Sequence, residues 1–98
     1  MPRMLVRYRA KAEKVDENER LIGEVFRELR AKAPKNVRYL VLRLSDGTFY
    51  HLVEDGAKTI PSLEAFAAFR RGGEERRLDE AQQLEATIVG NYRMLAES

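Results

Sequence analysis

The sequence predicts an α+β fold, one four-stranded antiparallel sheet carrying two helices, in the order strand, helix, strand, strand, helix, strand. Three observations predict it. Val37 to Glu54 reads as two strand-like runs joined by Asp46-Gly47, a dipeptide suited to a two-residue hairpin turn. Leu21, Ile22, Val25, Phe26 and Leu29 recur at helical spacing and make one apolar stripe. Pro34 separates stripe from hairpin, because proline cannot continue a helix.

The elements follow in order. Met4, Val6 and Tyr8 alternate with Leu5, Arg7 and Arg9, as in a first strand with one more apolar face. Asp16 and Glu19 have capping-box spacing, so the first helix is expected to begin at Asp16 and to end near Ala33. After the hairpin, Glu54 to Lys58 is a loop. Pro61 or Ser62 opens a second helix that carries Leu63, Phe66, Phe69 and Arg70, and Gly72-Gly73 interrupts it. Leu84 to Leu95 reads as the last strand, with Leu84, Ala86, Ile88, Gly90 and Tyr92 on one face. This order is usually folded as a ferredoxin-like sandwich with both helices on one side of the sheet.

Ninety-eight residues suit a single domain, 1–98. There is no cysteine, which excludes disulfides, thiolate metal sites and cysteine nucleophiles and favours a cytoplasmic setting. The first ten residues carry arginines through a short apolar run, unlike a signal peptide, and no stretch approaches a membrane span. Charge is nearly balanced, 18 basic residues against 16 acidic. Arg70-Arg71 and Arg76-Arg77 flank Glu74-Glu75, which cancels most of the field that a nucleic acid would need. An RNA-recognition module has the same element order, but DGTFYHLV lacks its basic-glycine-aromatic pattern. One histidine and no HxH, HxxxH or DxD spacing give no support to a metal site.

A two-residue turn pairs Ser45 with Thr48. It then places Leu40, Leu42, Leu44, Phe49, His51 and Val53 on one face of the hairpin, with Tyr39, Val41, Arg43, Tyr50, Leu52 and Glu54 on the other. Both faces are largely apolar, and two helices cover only one. The second face is therefore expected to meet a ligand, another subunit or both.

The strand VRYRAK, the helix LIGEVFREL, the hairpin RYLVLRLSDGTFYHLVE, the helix LEAFAAF with Glu75-Arg76 after it, and the strand EATIVGNY together resemble the dimeric α+β barrel superfamily, in particular antibiotic-biosynthesis-monooxygenase-like proteins. The resemblance implies a homodimer whose two sheets pack face to face into a barrel. The interface would then fall on Tyr39, Val41, Tyr50 and Leu52. It also implies a small apolar or aromatic ligand, no cofactor, and either a cofactor-independent monooxygenase acting on aromatic or quinol-like substrates or a non-catalytic binding barrel. The haem-degrading branch looks for an asparagine, a tryptophan and a histidine on the second helix. This chain has no tryptophan, and its one histidine lies on a strand.

Within that frame His51 is the candidate acid or base, the only side chain that ordinarily titrates near neutrality. A packed, hydrogen-bonded histidine is the competing reading. Tyr8, Phe66, Phe69, Tyr92 and Arg76 are the candidate pocket residues. The tyrosines would hold a phenolic ligand, the phenylalanines would wall it, and Arg76, with Arg70, would meet an anionic group. Packing in the core is the competing reading for the tyrosines and phenylalanines, and an ordinary surface position for the arginines.

Overall fold

The computed structural model describes residues 3–95. The chain forms β1 (Arg3–Arg9), a 3-10 turn (Ala12–Lys14), α1 (Val15–Lys32), β2 (Val37–Arg43), β3 (Thr48–Asp55), a second 3-10 turn (Ile60–Ser62), α2 (Glu64–Arg70), α3 (Gly73–Arg76) and β4 (Gln82–Ala86). All strand pairs are antiparallel, in the order β2-β3-β1-β4. This is the expected ferredoxin-like α+β arrangement.

The helices pack on one face. Tyr8, Ala10, Ile22 and Phe49 form the buried cluster, with Val6, Val15, Phe26, Val41 and Phe69 against it. Ile22 and Val25 of the predicted stripe are buried. None of the described helices is long and apolar enough to cross a membrane.

α1 starts differently from expectation. No side chain caps it, and Lys14 at its entrance is already coiled. The preceding 3-10 turn, closed by the Lys14 N–H donating to the Lys11 carbonyl at 2.8 Å, leaves no extended residue whose side chain could fold back. Asp16 and Glu17 sit inside the first turn, where they still face the positive end of the helix dipole. The other end is as expected. Ala33 turns left-handed before Pro34, and its N–H donates to the Leu29 carbonyl at 2.7 Å.

The hairpin register is one residue from the expected one. Its loop holds three residues, Ser45, Asp46 and Gly47. The Leu44 N–H donates to the Thr48 carbonyl at 2.8 Å, and the Gly47 N–H to the Leu44 carbonyl at 3.1 Å. Gly47 has φ +88, the left-handed residue that such a loop requires. Asp46 Oδ1 accepts the Thr48 N–H at 2.9 Å and so anchors the loop to β3. Side chains alternate, so the one-residue slip turns every β2 side chain over relative to β3. Tyr39, Val41 and Arg43 therefore join His51 and Phe49 on the helix side, while Leu40 and Leu42 join Leu52 and Tyr50 on the open side.

β4 is shorter than expected, and Leu84, expected to share a face with the pocket candidate Tyr92, lies on the open side instead. Ala86 pairs with Arg3, where β1 begins, and residues 87–95 follow without regular structure. Leu84 pairs with Leu5, which pairs with Leu52, which pairs with Leu40. A row of four leucines thus crosses the open face.

Candidate active site

His51 sits mid-strand on β3, between Val6 of β1 and Val41 of β2, and is 4% exposed. Two tyrosine hydroxyls meet its ring. That of Tyr8 lies 2.8 Å from Nε2 and that of Tyr39 lies 2.7 Å from Nδ1. Asn18 reaches in from α1, its Nδ2 donating to the Tyr8 hydroxyl at 2.8 Å. Arg76 completes the chain from α3, its Nε donating to Asn18 Oδ1 at 3.0 Å. Its other guanidinium nitrogens donate to the Phe69 and Arg71 carbonyls at the C-terminal end of α2, where a cation suits the helix dipole.

Donor direction follows from this order. Asn18 must offer its oxygen to Arg76 and its amide N–H to Tyr8. The Tyr8 hydroxyl, its oxygen already accepting, gives its own proton to His51 Nε2. Neutral His51 then carries its proton on Nδ1 and donates it to the Tyr39 oxygen. The result is a proton path through three side chains with no net charge on it.

Burial tunes each group. It lowers the His51 pKa to about 4, which leaves the imidazole neutral at pH 7. It pushes Tyr8 up to about 12, an effect that the Asn18 hydrogen bond and the charges of Arg76 and Arg77 oppose. Tyr39 is raised, by burial first and then by Tyr8. Aromatic rings hold the set in place. Tyr8 stacks on Phe49 at 5.6 Å and Tyr39 on Phe26 at 4.9 Å, and Phe69 lies 5.7 Å from His51.

A cavity of about 200 Å³ adjoins the network, bounded by Tyr8, Asn18, Phe69, Arg70, Gly73, Glu74, Arg76 and Arg77. Tyr8, rather than His51, presents the network to it. A larger cavity of about 710 Å³ lies by the open face, with Leu40, Leu52, Ile88 and Met94 on its walls; of the network it touches only Tyr39. Among the described residues, no three His, Cys, Asp or Glu side chains are grouped to hold a metal.

No protein-family model matches the sequence. Nor does any curated protein match it. Solved structures do match in shape. One named as an antibiotic biosynthesis monooxygenase superposes with a TM-score of 0.70 at 14% identity, covering 92% of this chain and 100% of that one. A candidate antibiotic biosynthesis monooxygenase from Bacteroides thetaiotaomicron gives 0.72 at 12% identity, over 99% and 95%. A conserved protein from Methanosarcina mazei gives 0.70 at 16% identity, over 87% and 89%. The chain shares the fold of these structures.

Within this shared fold, His51, Tyr8, Phe69 and Arg76 come together, and Phe66 touches Phe69 at 6.0 Å between ring centroids. Arg70 lines the cavity from α2. Tyr92 does not join them, because β4 has ended and its side chain is 80% exposed. Of the expected interface residues, Tyr50 and Leu52 lie on the open face, while the register turns Tyr39 and Val41 under the helices. Sequence reading missed Asn18, Arg77 and the role of Tyr39. Asn18 precedes Ile22 by four and Val25 by seven, a polar residue at an apolar-stripe position, and that signal was available.

Proposed function

We propose that the protein is a small-molecule enzyme, a cofactor-independent monooxygenase that binds an aromatic or quinol-like substrate beside α2 and α3. The observation that carries this reading is Tyr8, which lines the cavity and whose hydroxyl lies 2.8 Å from His51 Nε2. A substrate enol or phenol gives its proton to the Tyr8 oxygen while Tyr8 passes its own to His51, leaving an electron-rich anion in the cavity. For an anthrone-type substrate, one atom of dioxygen becomes the new carbonyl oxygen. The other leaves as water with the two hydrogens of the ring methylene, so the substrate supplies every electron. With the His51 pKa near 4, protonating the ring at pH 7 costs about 4 kcal/mol before any anion offsets it. The names of the similar structures and the fold they share support the assignment.

Oxygen uptake with anthrones and catechols tests it. Tyr8→Phe and His51→Gln should each lower the rate by about 10²-fold or more, the usual worth of a positioned acid or base. Unchanged rates would remove the network from the chemistry. A second reading, ligand binding without catalysis, is favoured by one observation: both His51 ring nitrogens already have partners, as in a structural histidine. Aromatic binding with no oxygen uptake by the wild-type protein would establish it.

We infer also that two copies pair through their open faces to make a barrel. The row Leu84, Leu5, Leu52 and Leu40 is the support, an apolar surface with no cover from its own helices.

A further inference from the structure

Arg76 and Arg77 are adjacent in sequence, and both guanidiniums approach Gly73. A Cβ placed on Gly73 would meet Arg77 Nη1 at 3.2 Å and Arg76 Nη2 at 3.9 Å. Two like charges therefore converge on one point, which repels unless something neutralises them. Among the described residues no carboxylate forms an ion pair with Arg70, Arg76 or Arg77. Glu74 shares the cavity wall with these three cations but is paired with none of them.

Arg76 has a role of its own, closing the end of α2 and orienting Asn18. Arg77 has none. Its backbone is fixed by the bridge to Ala10, yet its side chain makes no hydrogen bond among the described residues, and its Nε is buried without a partner. A buried guanidinium N–H left unpaired is costly, and natural structures rarely leave one so without use.

We infer that the cavity between α2 and α3 is an anion subsite that takes the carboxylate of an aromatic ligand against Arg77 and the free N–H groups of Arg76, with the ring against Phe69. Guanidinium groups suit a carboxylate because they offer N–H pairs at matching spacing. The volume of about 200 Å³ sets the scale, one small aromatic acid. Phe69 is already under a cation, with the Arg76 guanidinium carbon 5.3 Å from its ring centroid, so the apolar and charged parts of the wall adjoin. The inference rests on reading this cavity as the substrate site and names the substrate class, a ring bearing a carboxylate.

Titration calorimetry of 2-naphthoate against the neutral 2-naphthalenemethanol tests it on the intact protein. The carboxylate should bind about 10-fold or more tightly, the worth of one charge-assisted hydrogen bond. That preference should vanish in Arg77→Gln and persist in part in Arg77→Lys, and the Arg77 Nε–H resonance should shift on adding 2-naphthoate to the wild type. Equal affinity for the two ligands, no binding of either, or full preference in Arg77→Gln would overturn the inference. Oxygen uptake separates it from the monooxygenase reading. Naphthoate preference without turnover of any anthrone would sink the enzyme and leave the subsite; turnover without the preference would do the reverse.

Discussion

On the helix side of the sheet, polar side chains are enclosed and bonded to one another: Tyr39, His51, Tyr8, Asn18 and Arg76 form one chain under the helices. On the open side, leucines stand at the surface, with Leu40 at 39%, Leu42 at 52% and Leu84 at 56% exposure. A polar chain is thus enclosed within the core on one side of the sheet, while apolar side chains are left at the surface on the other. The difference separates two tasks, since enclosed hydrogen bonds in a low-dielectric interior set protonation states, whereas exposed apolar rows drive association.

The contrast can be broken most severely from the helix side. Phe49 is 1% exposed and stacks on Tyr8, so Phe49→Ala should lose about 3 to 5 kcal/mol in urea unfolding. Truncating Leu42 to alanine on the open face should cost far less, because that side chain is half in water already. Acid attacks the helix side too. His51 is neutral in the folded chain down to about pH 4, while the unfolded chain takes up its proton near pH 6.5. The unfolded state therefore binds more protons between these values. Stability falls as the pH drops, by up to about 3 kcal/mol across that window, and levels off below it. Urea midpoints at pH 7 and pH 4 for wild type and His51→Gln check this, with a flatter profile expected for the variant.

Asn18→Leu is a finer cut. It leaves Arg76 Nε without its acceptor and Tyr8 without one donor, and should cost about 1 to 3 kcal/mol by the same measurement. The smallest stability effect belongs to the open face, where Leu42→Glu should move the stability of the single chain by only about 0.5 kcal/mol. Light scattering at micromolar concentration should nevertheless find two chains in the wild type and one in Leu42→Glu. A wild type already of one chain would leave the leucines as ordinary surface and remove the barrel.

Element type and order were legible in the sequence because each rests on local spacing: the Leu21 to Leu29 stripe, the alternation of β1, and Pro34 as a stop. The hairpin register was less so. Asp46-Gly47 suits a two-residue turn and also the last two positions of a three-residue one, and only the N–H of Leu44 meeting the Thr48 carbonyl decides between them. That single residue decided whether Tyr39 touched His51. Arg76 was legible as a cation at a pocket mouth and Arg77 only as part of a basic pair, because nothing near them in sequence tells that Arg76 turns inward to Asn18. Tyr92 continues the alternation that Leu84 begins, but alternation says nothing of where the neighbouring strand runs out.

The three-residue loop at Ser45 to Gly47 has a consequence for how such a protein can drift. Loss of the Ser45 codon would leave a tight turn that many hairpins favour, yet it would advance β2 by one step. The phenol of Tyr39 would swing out to water, and Leu40 or Leu42 would take its seat beside the imidazole. An indel in the loop would thus cut Tyr39 out of the hydrogen-bonded chain while leaving every one of its members encoded.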